Sequence, residues 1–190
     1  MTKPLLVAAA LLLGWGAAAH AQASDCKSIP PAAKIVEVGA FTDTRYTDEH
    51  AYGYTVMLWR AGECLFGLFE SSSGLAGDTP IGAIQNVKYD GKTGALSFAA
   101  KLTTGLVSFA GSNDGQPARD MFTFEGKLQR TQLAGVVTHD LQNNPQPQGE
   151  RTDVTMVISK DAVELMRGSE TYGDWYEKWQ PILRRRGPKW

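Results

Sequence analysis

Ala95 to Leu102 places Leu96, Phe98, Ala100 and Leu102 on one side of the chain and Ser97, Ala99 and Lys101 on the other. A period of two belongs to a half-buried strand, not to a helix, whose faces repeat about every 3.6 residues. The same kind of segment recurs along the chain, bounded by turn signals at spacings of roughly ten residues. The pattern predicts strands over 34–41, 52–60, 64–70, 81–89, 95–102, 121–128, 133–138 and 152–160. Residues 103–110 either prolong one of these strands or begin a short one.

The connections decide how such strands assemble. Ala61-Gly62-Glu63, Asp90 to Gly94 and Arg130-Thr131 are short turns, and 42–49, 71–80, 111–118 and 143–149 are polar or Gly/Pro/Ser-rich loops. Almost none is long enough for a helical crossover, so parallel βαβ architecture is excluded and the strands must run antiparallel. A meander of this length leaves two edge strands to hide, and closing the sheet on itself does so directly. The expected fold is therefore mainly β: an antiparallel meander of about eight strands forming a barrel or curled sheet, with a two-sheet β-sandwich as the alternative.

One helix closes the pattern, over about 170–184. Tyr172, Trp175, Tyr176, Trp179, Ile182 and Leu183 lie on one stripe at helical spacing, with Asp174, Glu177 and Lys178 on the other side. Ser169 is the expected N-cap, and Pro181 is expected to kink or end the helix because it cannot donate to the carbonyl of Glu177. The stripe packs on the sheet or plugs a barrel mouth. The competing reading is a partner-binding or membrane-surface helix, followed by Arg184-Arg185-Arg186 and Lys189.

At the other end, Met1 to Lys3 is short and basic, Pro4 to Ala19 is apolar, and Ala19-His20-Ala21 and Ala21-Gln22-Ala23 both fit a small-x-small cleavage site. Residues 1–23 read as a secretory signal peptide with cleavage after Ala21 or Ala23, leaving 24–190 as a single β-rich domain that includes the helix. No later stretch is long and apolar enough to span a membrane. Export agrees with the cysteines, since the only two, Cys26 and Cys64, lie beyond the leader and would pair in an oxidising compartment. The loop they close corresponds to roughly 4 kcal/mol of chain entropy. The 19 Lys and Arg nearly balance the 20 Asp and Glu, which gives no electrostatic footprint for nucleic acid.

No motif carries chemistry at a convincing spacing. Gly91-Lys92-Thr93 lacks the upstream glycine of a phosphate loop, since Asn86 stands there, and it joins two strands. Asn113, Asp114 and Asp120 do not follow a calcium-loop pattern. His139 and Asp140 are neighbours on a strand and point to opposite faces, and no G-x-S-x-G is present. Asp43, Asp48, Glu49, Asp78 and Asp153 read as scattered surface acids. The expectation is thus no catalytic residue, no metal and no cofactor.

The functional reading is an exported, periplasmic or secreted, non-enzymatic binding module. It holds a small apolar or aromatic ligand in a barrel mouth through Tyr52, Tyr54, Phe66 and Phe98. The alternative is an envelope or secreted interaction protein that grips a protein partner with the helix or with the loops at 71–80 and 142–151. Volume separates them: inward Phe66, Phe69, Phe98, Phe122 and Phe124 would fill an eight-stranded barrel, whereas inward Gly67, Gly82, Ala83, Ala99, Ala100 and Gly126 at one end would leave it hollow.

Overall fold

The computed structural model describes residues 28–75, 77, 79–108, 115–144 and 149–190. Residues 1–23, expected to be a leader, and Cys26, Asp78, Asn113 and Asp114 lie outside the described residues. In chain order the elements are β1 (Val36–Thr42), β2 (Arg45–Tyr46), β3 (His50–Ala61), β4 (Cys64–Leu75), β5 (Ile81–Tyr89) and β6 (Ala95–Leu102). They continue with β7 (Leu106–Val107), β8 (Gln116–Pro117), β9 (Asp120–Leu128), β10 (Gln132–Leu141), β11 (Glu150–Ile158), α1 (Lys160–Met166) and α2 (Tyr172–Arg186).

The long strands pair antiparallel in the order β1-β11-β10-β9-β6-β5-β4-β3, and β3 pairs back onto β1. This is a closed barrel of eight strands, so the sandwich arrangement does not occur. Closure is completed where Phe41 meets Ile158 on β11 and Val56 on β3. The remaining strands are short: β2 extends the ladder against the start of β3, and β7 pairs with β8 inside the β6–β9 connection.

Alternation along the strands sorts side chains into two cores. Inward residues such as Phe41, Leu58, Phe69, Phe98, Phe124 and Met156 fill the barrel. Outward residues of the β1, β3, β4 and β5 wall, including Met57, Trp59, Phe66, Leu68 and Ile81, form a second layer under the helices with Met166, Trp175 and Trp179. That explains why Tyr52–Arg60 and Cys64–Glu70 are apolar on both faces. Elsewhere the outer face is polar, as at Thr123, Glu125 and Lys127 of β9. Apolar inside with charge outside is the reverse of a barrel wall that faces lipid.

The inward glycines do not hollow the barrel. A Cβ on Gly67 would run into the carbonyl of Met57, one on Gly82 into that of Lys101, and one on Gly126 into that of Ala134. Their absent side chains let neighbouring backbones approach and the sheet coil. With Phe69, Phe98, Phe122 and Phe124 all inward, the barrel is the filled kind.

Four local expectations are corrected. β4 runs on to Leu75, so Ser71 to Leu75 is strand, not loop; the long partner β3 supplies a ladder as far as His50↔Leu75 and overrides the weak strand preference of serine and glycine. The polar 42–49 segment contains β2. Thr171, not Ser169, caps α2, with Thr171 Oγ1 accepting from Asp174 N at 3.2 Å and Asp174 Oδ2 accepting from Thr171 N at 2.8 Å. Finally, Pro181, expected to kink or end α2, does not end it: the helix runs on to Arg186, because burial of Trp179 and the packing of Ile182 and Leu183 on the barrel outweigh one lost backbone bond.

Candidate functional site

Antiparallel pairing puts alternate connections at opposite ends. The tight turns at 62–63, 90–94 and 129–131 lie at one end; the connections at 43–49, 76–80, 103–119 and 142–149 lie at the other. Toward this loop-bearing end the inward residues change character. The apolar filling gives way to Tyr54 on β3, Asp120 on β9 and His139 on β10, with Thr152 on β11 beside Tyr54.

Asp120 opens β9 and is only 1 % exposed. Its Oδ1 lies 2.8 Å from His139 Nε2, and its Oδ2 accepts from Thr104 N at 2.8 Å and from Thr104 Oγ1 at 3.0 Å. Burial opposes the charge, but the hydrogen bonds from His139 and Thr104 outweigh it and hold the carboxyl below the usual carboxylate range. A carboxylate only accepts, so the proton on His139 sits on Nε2. The His139 ring stacks on Phe122 at 4.3 Å and an interplanar angle of 5°, and its side chain is 28 % exposed.

A connected set of rings leads inward from there. Tyr54 meets the edge of Phe122 at 6.2 Å and stacks on Phe69 at 5.6 Å; Phe69 contacts Phe98 at 6.0 Å, and Phe98 stacks on Phe124 at 5.2 Å. Burial raises the pKa of the Tyr54 hydroxyl, against the hydrogen bond with Thr152, and Glu150 and Asp43 add to the rise. At the rim Tyr52 is 51 % exposed and stacks with His50 at 6.1 Å.

Of the residues expected to form a ligand site, Tyr52, Tyr54 and Phe98 fall along this inward column, at rim, mouth and depth. Phe66 does not. It faces outward beneath α2, against Tyr172 at 5.2 Å and Trp175 at 5.0 Å. Its segment is apolar on both faces, so periodicity could not say which face was inward. Asp120, Phe122, His139 and Thr152 were missed as site residues. For the first three a signal existed: an Arg130-Thr131 turn sets Leu128 opposite Leu133, which places His139 opposite Phe122 and one inward step from Asp120.

Chemically, an Asp-held imidazole on an aromatic floor can orient and stack against a planar group. Among the described residues no hydroxyl or thiol is hydrogen-bonded to His139, and no three His, Cys, Asp or Glu side chains are grouped to hold a metal ion. No family of known proteins, no curated protein and no solved structure matches this chain.

Proposed function

We propose that this chain is an exported, non-enzymatic binding module that holds a small apolar or aromatic ligand at the loop-bearing end of its barrel. One observation carries the reading. Nine large apolar side chains are left exposed among the described residues, and two of them, Tyr52 and Leu75, stand on the inward faces of neighbouring strands at this end, joined by His50, which stacks on Tyr52 and lies opposite Leu75. Exposed apolar surface at the mouth of a barrel is a common mark of a binding site. The filled interior makes the site shallow: the ligand rests on Tyr52, Tyr54 and the Phe122–His139 stack, with Phe98 supporting from below and Phe66 uninvolved. Export rests on the leader-like residues 1–23.

The test is titration with the uncharged dye N-phenyl-1-naphthylamine. One saturable site is expected, weakened roughly three- to tenfold by Tyr52→Ala, the worth of one aromatic contact, and unchanged by Phe66→Leu. Unsaturable binding, or equal binding by the Tyr52 variant, removes the small-ligand reading. A protein partner at the same rim is then the better one, gripped by the loops and not by α2, whose Trp175 and Trp179 are buried.

A further inference from the structure

Beyond α2 the chain crosses the end of β6: Lys189 N donates to Thr103 Oγ1 at 3.0 Å, Trp190 Nε1 donates to Leu102 O at 2.8 Å, and Lys101 Nζ sits 4.3 Å from the centre of the Trp190 ring. Between this strap and the start of the β6–β9 connection lies a half-open cleft of about 270 Å³, separate from Tyr52 and Tyr54. Arg185, Arg186 and Lys189 line one side, Thr103 and Thr104 the other, and no carboxylate is among the described lining residues.

The donors of these cations are unequally committed. Arg186 Nε donates to Thr79 O at 2.6 Å and its Nη2 to Thr79 O and Glu70 Oε1, so its charge is answered and only Nη1 is spare. Lys189 Nζ donates to Arg184 O at 2.9 Å and Arg185 O at 3.1 Å, which leaves one of its three protons free. Arg185 is exposed and its guanidinium has no ion pair or hydrogen bond among the described residues. Two cations without a carboxylate therefore border one cleft. The negative end of the α2 dipole would oppose an anion, but its last carbonyls are already met by Lys189 Nζ and by Gly187 N on Leu183 O at 2.8 Å.

We propose that this cleft binds the phosphate or sulfate group of a small ester. A guanidinium fork matches two oxygens of a tetrahedral oxyanion, and the spare lysine proton and the Thr103 hydroxyl, which accepts from Lys189 N and keeps its own proton, offer further partners. The cleft has the volume of roughly nine waters, enough for the oxyanion and a small organic group attached to it. A soluble phosphate ester and an anionic phospholipid headgroup share this chemistry.

The experiment titrates the full chain with glycerol phosphate by calorimetry at fixed ionic strength, and in parallel sediments it with phosphatidylglycerol vesicles. Arg185→Gln and Lys189→Gln are compared with the parent. Expected is one saturable site weakened about tenfold or more by Arg185→Gln, the loss of one charge-assisted contact. Binding of glycerol phosphate alone identifies a soluble ester, and variant-sensitive binding of vesicles alone identifies a headgroup. No saturable binding in either arm, or binding equal in parent and both variants, overturns the proposal. Among the described residues Arg185 has no side-chain hydrogen bond or ion pair to lose, so its variant should keep the parent's melting temperature and remain interpretable.

Discussion

Asp120 joins three segments through one carboxylate: it begins β9, receives two hydrogen bonds from Thr104 in the following connection of β6, and fixes the ring of His139 on β10. Asp120→Asn would replace the charged acceptor of three hydrogen bonds by an amide, which weakens both Thr104 bonds and forces His139 to change tautomer or lose its partner. A loss of about 1–3 kcal/mol is expected at neutral pH. The pH dependence follows from the lowered folded pKa. The stability due to the charge is fully present above the ordinary aspartate value of about 3.9 and is lost as pH falls through the lower folded value. Urea titrations of parent and variant should thus differ at pH 7 and converge toward pH 2. A gap that stays constant with pH would mean the charge is not what Asp120 contributes. At this scale the chain was half legible: Asp120 and His139 were both visible as residues and a pairing of His139 with its neighbour Asp140 was already excluded, but the partnership with Asp120 follows from cross-strand register.

Among the elements, α2 was the most legible, because an apolar stripe at helical spacing has one simple use. Trp175 and Trp179 each lie 5.8 Å from Trp59 in edge-to-face geometry. Replacing either by Ala removes a buried ring that the rigid barrel wall cannot follow, so a loss of about 3–5 kcal/mol is expected for each. The indole N–H groups of Trp59, Trp175 and Trp179 are buried and have no acceptor among the described residues. An unmet donor offsets part of what a ring contributes, so Trp175→Phe should cost less than half of Trp175→Ala. Urea unfolding followed by far-UV circular dichroism measures both. If the alanine variants melt like the parent, the helix is not part of the core. The cap was misplaced because Ser169 and Thr171 are both favoured cap types, and only the approach of Lys34 to Thr171, with Tyr172 N donating to Ala33 O at 2.9 Å, selects the second.

For the whole molecule, the proposed leader and disulfide make one joint prediction. Cys64 opens β4 at the tight-turn end, and a bond to Cys26 would staple the segment before β1 to the β3–β4 hairpin. Intact mass of protein expressed with its leader and directed to the periplasm should show a chain beginning at Gln22 or Ser24. It should take up no alkylating agent before reduction and two equivalents after it. Two alkylated cysteines in the unreduced sample would end the disulfide proposal, and an unprocessed mass would end that of the leader. Loss of the bond should destabilise by roughly 4 kcal/mol, less any strain.

Alternation, turn chemistry and short connections determined from sequence that the chain is an antiparallel meander with a helix after it, since each is a local property of a few neighbouring residues. The strand ends at 81–89 and 95–102 were legible to the residue. Whether the sheet closed, which face of Cys64 to Phe69 turned inward, and whether glycines meant a hollow or a close approach were decided only in three dimensions. Phe66 and Phe69 are alike in sequence, yet one lies under α2 and the other fills the barrel. The physical reason is that both faces of that wall are covered, one by the barrel interior and one by the helices, and burial on both sides erases the polarity contrast from which facing is read.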